Sequence, residues 1–170
     1  INDHYNKYRM SDALMATYKL VWDDFCAWYL EAIKPEFING KAQPIDKITY
    51  DATILFLESL LKIMHPWMPF LTEEIWHMTN PRDEMDCIIL AQWPETKKQN
   101  AETLKAFEVV KEIVAQVRTI RQQKNISPKE QLEVKEKSTQ GQSDSRFDSV
   151  VIKLANLSSY SYTENKIEGA

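Results

Sequence analysis

Ser11-Asp12-Ala13-Leu14-Met15-Ala16-Thr17-Tyr18-Lys19-Leu20-Val21-Trp22-Asp23-Asp24-Phe25-Cys26-Ala27-Trp28-Tyr29-Leu30-Glu31-Ala32-Ile33-Lys34 is the stretch on which the fold turns. At 100° per residue, Leu14, Tyr18, Val21, Trp22, Phe25, Trp28, Tyr29, Ala32 and Ile33 share an arc of about 140°. Lys19, Asp23, Asp24, Glu31 and Lys34 project outside that arc. The spacing predicts one amphipathic helix, capped by Ser11 and stopped by Pro35. Its stripe is rich in aromatic rings, so Trp22, Trp28 and Tyr29 are expected to be core rather than surfaces for stacking on bases.

Downstream, a loop containing Asn39-Gly40 and Pro44 leads to Asp46, an expected N-cap for a second helix reaching about His65. Tyr50, Ile54, Leu57, Leu61 and Met64 make one stripe of that helix. Leu55, Phe56 and Ile63 lie off it, which predicts a helix surrounded on several sides at the centre of a bundle. His65-Pro66-Trp67-Met68-Pro69 must break the helix, and Pro69 suits the first turn of a short third helix, Phe70 to about Met78, ended by Asn80-Pro81. Residues 82–100 read as charged loops around a brief apolar run, Ile88-Ile89-Leu90, and a turn at Trp93-Pro94-Glu95-Thr96, forming a boundary between subdomains.

Helical spacing returns from about Glu102 to Lys124, with Phe107, Val110, Ile113, Val114, Val117 and Ile120 on one side. Leu132-Glu133-Val134 alternates like a strand, Phe147 to Leu157 like a helix, and Tyr160-Ser161-Tyr162 like a second strand. Ser138 to Ser145 carries too little apolar surface to pack and is expected to be a flexible connection. The fold class is therefore mainly α: a helical bundle over residues 1–97, then a small α/β subdomain over 98–170.

The composition suits this. With 170 residues, 44% hydrophobic and 27% charged, the chain can bury one good core or two small ones. No stretch reaches the ~18 apolar residues of a membrane span. The start, Ile1-Asn2-Asp3, has neither an initiator Met nor a signal-peptide pattern and is read as a boundary within a longer protein. Cys26 and Cys87 stand far apart and outside any Cys-x-x-Cys pattern, which argues against zinc and disulfides and for a reducing cytoplasm. The net charge of -4 announces no nucleic-acid binder, so any basic face must be local.

Nothing here reads as catalytic. Gly40, Gly141 and Gly169 form no phosphate-cradling cluster, and His4, His65 and His77 lack metal-helix spacing. Glu73-Glu74 and Asp23-Asp24 could be imagined as acid/base pairs, but neighbouring helical residues diverge by 100° and do not converge on one substrate. Catalytic, cofactor and metal residues are each expected to be none.

Tyr8-Arg9-Met10-Ser11-Asp12-Ala13-Leu14-Met15, Trp22-Asp23-Asp24-Phe25-Cys26-Ala27-Trp28-Tyr29-Leu30-Glu31 and Lys34-Pro35 closely resemble the anticodon-binding helical domain of valyl-tRNA synthetases. His65-Pro66-Trp67-Met68-Pro69-Phe70-Leu71-Thr72-Glu73-Glu74-Ile75-Trp76 resembles the interhelical corner shared by the valine, isoleucine and leucine enzymes. Arg118-Thr119-Ile120-Arg121 with Asn125-Ile126-Ser127-Pro128 is similar to the α/β segment that follows in the valine enzymes. Met10 and Trp67 depart from the Phe expected there, and the family's adenylate-forming signatures, editing domain and terminal coiled coil are absent.

The resemblance implies binding of the anticodon stem-loop of tRNA(Val). The parent enzyme would attach valine with ATP and Mg in its catalytic domain, which would also be this segment's partner in the same chain. It implies a cytoplasmic monomer without a membrane role. Phosphates are held by Lys and Arg and loop bases by stacking, which directs attention to Arg9, Lys19, Lys34 and Lys62 in the first half. In the second half it directs attention to Arg118, Arg121 and Lys124, where the apolar stripe ends at Ile120. For each, the competing reading is a solvated helix face or a cation answering the helix dipole. The competing functions are a helical protein-interaction domain, which the acidic charge favours, and the equivalent domain of an isoleucyl- or leucyl-tRNA synthetase.

Overall fold

The computed structural model describes residues 1–35, 37–96, 98–137 and 145–163. They fall in two compact units, Ile1–Lys97 and Lys98–Ala170. The expected flexible connection Ser138–Ser145 lies, apart from Ser145, outside the described residues. No described helix is long and apolar enough to cross a membrane.

Unit 1 opens with α1 (Asn2–Asn6), and Tyr8, at φ 55°, turns the chain into α2 (Met10–Tyr18). This helix continues as a π-helical segment, Lys19–Leu30, and closes as α3 (Glu31–Ile33). Lys34 turns extended (ψ 132°) ahead of Pro35, as the ring of a following proline demands. The long first helix is thus present, with two corrections. Arg9, not Ser11, occupies the N-cap position, and no side chain caps it, because Ser11 already lies inside the first turn.

The second correction concerns the stripe. A π-helix bonds i to i+5 and advances less than 100° per residue, so a stripe drawn at the α-helical angle drifts across it. Trp22, expected in the core, is 59% exposed and stacks on exposed Tyr18 at 6.4 Å. Phe25 and Tyr29 turn inward instead. Tyr29 stacks on Phe25 at 5.5 Å, meets the edge of Phe56 at 5.3 Å, and shares a 2.9 Å hydrogen bond with Thr53. That ring joins the long first helix to α4.

Between them the loop contains a two-residue hairpin, β1 (Phe37–Ile38) and β2 (Lys41–Ala42). Both turn residues, Asn39 at φ 52° and Gly40 at φ 76°, have positive φ, as a type I′ turn requires. α4 (Lys47–Met64) starts where Asp46 accepts the Thr49 N–H at 2.9 Å. It is not surrounded on several sides as expected: Leu55 is 62% exposed and Ile48 and Phe56 are exposed too.

Its buried face carries Leu60 and Leu61, and it packs against α5 (Pro69–Thr79), which has Pro69 in its first turn. Asn80 is extended before Pro81, which ends the helix. The corner between α4 and α5 is tied by His65 Nδ1 to the Thr72 hydroxyl at 2.8 Å, and that hydroxyl also donates to the Met68 carbonyl. Leu61, Trp76 and Ile88, the last on a 3₁₀ turn at Ile88–Leu90, make a core against which Leu57, Ile75 and Ala91 pack.

Unit 2 is a helix and a β-α-β unit: α6 (Ala101–Gln123), β3 (Leu132–Lys137), α7 (Asp148–Ala155) and β4 (Leu157–Thr163). β3 and β4 run parallel, with Val134 opposite Tyr160, which requires the crossover that α7 supplies. Asn100 caps α6 by accepting the Thr103 N–H at 3.1 Å. Val110, Val114 and Val117 bury one face of α6, and α6 packs on α7, whose Val151 and Ala155 are buried. Asn156, in the left-handed region at φ 51°, ends α7, and its side-chain amide reaches the Pro128 carbonyl at 2.8 Å.

Candidate nucleic-acid interface

The seven candidate cations divide four to unit 1 and three to unit 2, and their surroundings separate them into groups. Arg9, at the start of α2, and Lys19, where the helix widens, are exposed. They stand ten positions apart, about 15 Å at the α-helical rise, so they present two points on a line rather than one focus. Lys34 is exposed at the helix end and pairs with Glu31 at 3.2 Å. Both side chains are more than half exposed, so this pair is worth at most ~1 kcal/mol and would yield readily to a phosphate. Lys62 is half-buried, and its ammonium lies 5.3 Å from the Trp76 ring centre. Part of its role is to cover that ring.

In unit 2, Arg118 and Lys124 are exposed, Lys124 at the C-cap of α6. Arg121 is different, and its reading as an exposed binding residue is corrected. It is 6% exposed. Its guanidinium donates to the Ser127 carbonyl at 2.9 Å and to the carbonyls of Ala155 and Asn156 at 3.1 and 3.0 Å. The planar fork reaches three acceptors at once, stitching the end of α6 to the turn before β3 and to the end of α7. Ile120 itself is half exposed, and the buried row of α6 instead runs through Val110, Val114 and Val117 and, one turn on, Arg121.

Sequence reading missed Arg82, which lies in a loop with no periodicity. Its guanidinium sits 3.7 Å above the Trp76 ring and pairs with Glu58, whose carboxylate also accepts from the Asn80 amide at 2.6 Å. The Trp76 indole in turn donates to the Asp86 carbonyl at 3.1 Å. Charge therefore fixes this loop against α4, through Glu58, and against α5, through the Trp76 ring. The Glu73 carboxylate likewise accepts the Ile88 N–H at 3.1 Å and lies 3.3 Å from His77, so it anchors structure. Among the described residues no group of three His, Cys, Asp or Glu could hold a metal ion.

A helical unit carrying separated, exposed cations, joined in sequence to a small α/β unit, matches a known class of domain. The family model for the anticodon-binding domain of tRNA ligases matches residues 1–136, and the chain belongs to that family. Over all 170 residues it is 49% identical to the valine–tRNA ligase of Parabacteroides distasonis, 45% to that of Christiangramia forsetii and 41% to that of Porphyromonas gingivalis. The chain spans 19% of the length of each of these relatives.

Proposed function

We propose that this chain is the anticodon-recognising part of a valine–tRNA ligase and holds the anticodon stem-loop of tRNA(Val). The observation that carries the proposal is full-length similarity to valine–tRNA ligases at up to 49% identity, which favours valine over the isoleucine and leucine alternatives. Arg9, Lys19, Lys34, Arg118 and Lys124 supply phosphate contacts, Lys62 a lesser one, and Arg121 acts by holding unit 2 together.

The whole enzyme would attach valine to its tRNA with ATP and Mg. The chain spans 19% of the length of its valine–tRNA ligase relatives, and that chemistry is assigned to the rest of the enzyme. Exposed apolar side chains of unit 1 such as Trp22, Leu55 and Phe70 are then surface for the rest of the enzyme to cover. Unpaired Cys26 and Cys87 suit a reducing cytoplasm.

The test is binding of the 170-residue chain to anticodon stem-loops of valine, isoleucine and leucine tRNAs across a salt series. Preference for the valine stem-loop is expected, with affinity falling as salt rises. Lys19→Glu and Arg9→Glu should each weaken binding and reduce the logarithmic salt slope by roughly one. Equal binding to all three stem-loops would refute valine discrimination by this chain, and no binding at low salt would refute the tRNA role.

A further inference from the structure

Where α1 meets the break after α4, unit 1 carries an aromatic cleft that none of the candidate cations lines. Tyr5 stacks on Trp67 at 6.2 Å with the rings 20° apart, and meets Trp93 edge to face at 5.9 Å. The Trp93 indole donates to the Asn2 side-chain oxygen at 2.8 Å, which fixes the ring upright beside α1. The open space beside these rings measures about 390 Å³ and is lined by Asn2, Tyr5, Asn6, Pro66 and Trp93. The space is a shallow groove open to solvent, with room for one flat ring and not for an enclosed ligand.

We propose that this cleft holds a single unstacked nucleobase, with Trp93, Tyr5 and Pro66 as its walls and the Asn2 and Asn6 amides at its edge. Three features of the lining select this ligand. The walls are flat and apolar, and a base stacks on such rings irrespective of its identity. Among the described residues no charged side chain lines the cleft, and its walls therefore offer no fixed charge to an anion or an ammonium group. Tyr5 has one face against Trp67, which spoils the open box of rings that a quaternary ammonium needs.

The edge is polar in a matching way. Asn2 and Asn6 are four apart on α1 and so lie on one side of it. The Asn2 oxygen is engaged by Trp93, which leaves its two N–H donors, and Asn6 offers both donors and an acceptor. Mixed donors and acceptors in one plane are what the edge of a base presents. The same corner also holds the shielded polar atoms Tyr5 Oη, His4 Nδ1 and Trp67 Nε1, which have no partner among the described residues. Such atoms are few in folded proteins, and their gathering marks a corner not optimised for its own stability.

The base can come from a free nucleotide or from an unpaired position of RNA, and only the second source rests on the tRNA reading. The test titrates the ¹⁵N-labelled 170-residue chain with adenosine and uridine monophosphates, following the Trp93 indole and Asn6 amide signals by NMR. Saturable shifts of both signals, larger for adenosine, are expected. Asn6→Ala should raise the half-saturating concentration a few-fold and Trp93→Ala about 5-fold or more. Trp93→Phe, which keeps a ring in the wall should Trp93→Ala loosen α1, should retain most of the response.

Absence of a saturable shift at Trp93 and Asn6, or shifts that Asn6→Ala and Trp93→Ala leave unchanged in a folded protein, overturns the proposal. A valine anticodon stem-loop then identifies the source. If it binds and moves Trp93 as adenosine does, the base belongs to RNA; if it binds or fails to bind while only the mononucleotide moves Trp93, the cleft serves free nucleotides. Failure of the stem-loop to bind defeats the tRNA reading and leaves the mononucleotide result to decide the cleft.

Discussion

Unit 2 buries Val110, Val114, Val117, Val151, Ala155 and Leu157, and among its described large apolar side chains it leaves only Leu104, Val109 and Ile120 exposed. Unit 1 is longer yet buries a smaller share of its apolar side chains, leaving Trp22, Ile48, Leu55, Phe70 (91% exposed) and Met78 in the open among many others. Size alone predicts the opposite, because a longer chain buries a larger fraction of its surface. The difference teaches that the apolar excess of unit 1 is not a failure to fold but surface available to something else, since monomers seldom expose so much. Among its described residues, unit 2 leaves few large apolar side chains uncovered.

The sharpest way to break that comparison is a pair of tryptophans within unit 1. All five tryptophans, residues 22, 28, 67, 76 and 93, precede Lys98, so indole fluorescence reports unit 1 alone. Trp76, 6% exposed, stacked under Arg82 and hydrogen-bonded to Asp86, is expected to cost ~3–5 kcal/mol on substitution by alanine. Trp22→Ala, at an exposed site, should cost less than about 1 kcal/mol in urea unfolding of this chain. Equal losses for the two would show that Trp22 is packed and that the exposed stripe is not spare surface.

Much of this division was legible in the sequence, for identifiable reasons. Asp46 as N-cap, Pro69 in a first turn and Pro81 as a stop act within four residues, so local chemistry decides them. The strand alternation around Val134 and the crossover helix were legible because burial repeats with a period the sequence displays. What escaped was local geometry in two places and tertiary juxtaposition in two others. The π-helical segment changed the angle at which the stripe had to be drawn, which put Trp22 on the wrong side. The Asn39-Gly40 hairpin carried its usual signal, and only its very short strands concealed it. Arg121 was misplaced because its acceptors, Ser127, Ala155 and Asn156, are brought to it by the tertiary fold. The aromatic cleft joins Tyr5, Trp67 and Trp93, residues too far apart in sequence for any spacing rule to connect.

Arg121 gives the next largest effect, this time in unit 2. Arg121→Ala strands three carbonyls and leaves a void, at an expected ~2–4 kcal/mol. Arg121→Lys separates charge from geometry, because a single ammonium cannot reproduce the fork that reaches all three acceptors. It should destabilise unit 2, followed by the near-ultraviolet circular dichroism of Tyr160 and Tyr162, while indole fluorescence still reports a folded unit 1. RNA affinity per folded molecule should stay unchanged. A stable Arg121→Lys protein that had lost RNA binding would return Arg121 to the interface and overturn its structural role.

The smallest effects distinguish the units by pH, each at its own extreme. In unit 1, the Thr49 N–H bonded to Asp46 holds that carboxyl below its ordinary 3.8. A depressed folded value means that its stabilisation is present above pH 3.8 and fades as pH falls through the lower value. Asp46→Asn keeps a capping oxygen without that proton, so it should flatten the acid limb of the indole-detected melting temperature. In unit 2 the shift has the opposite sign. Burial, then the hydrogen bond to Asp148, pushes Tyr162 up to about 12, and burial with the bond to Glu136 raises Tyr160 as well. Unfolded tyrosines ionise near 10, so the native unit holds protons that the unfolded one releases. The stabilisation is whole below pH 10 and is lost as pH rises from 10 towards 12. Tyr162→Phe should remove part of that alkaline decline and leave the acid limb untouched. An alkaline decline that Tyr162→Phe and Tyr160→Phe leave in place would show that these hydroxyls keep no protons on behalf of the fold.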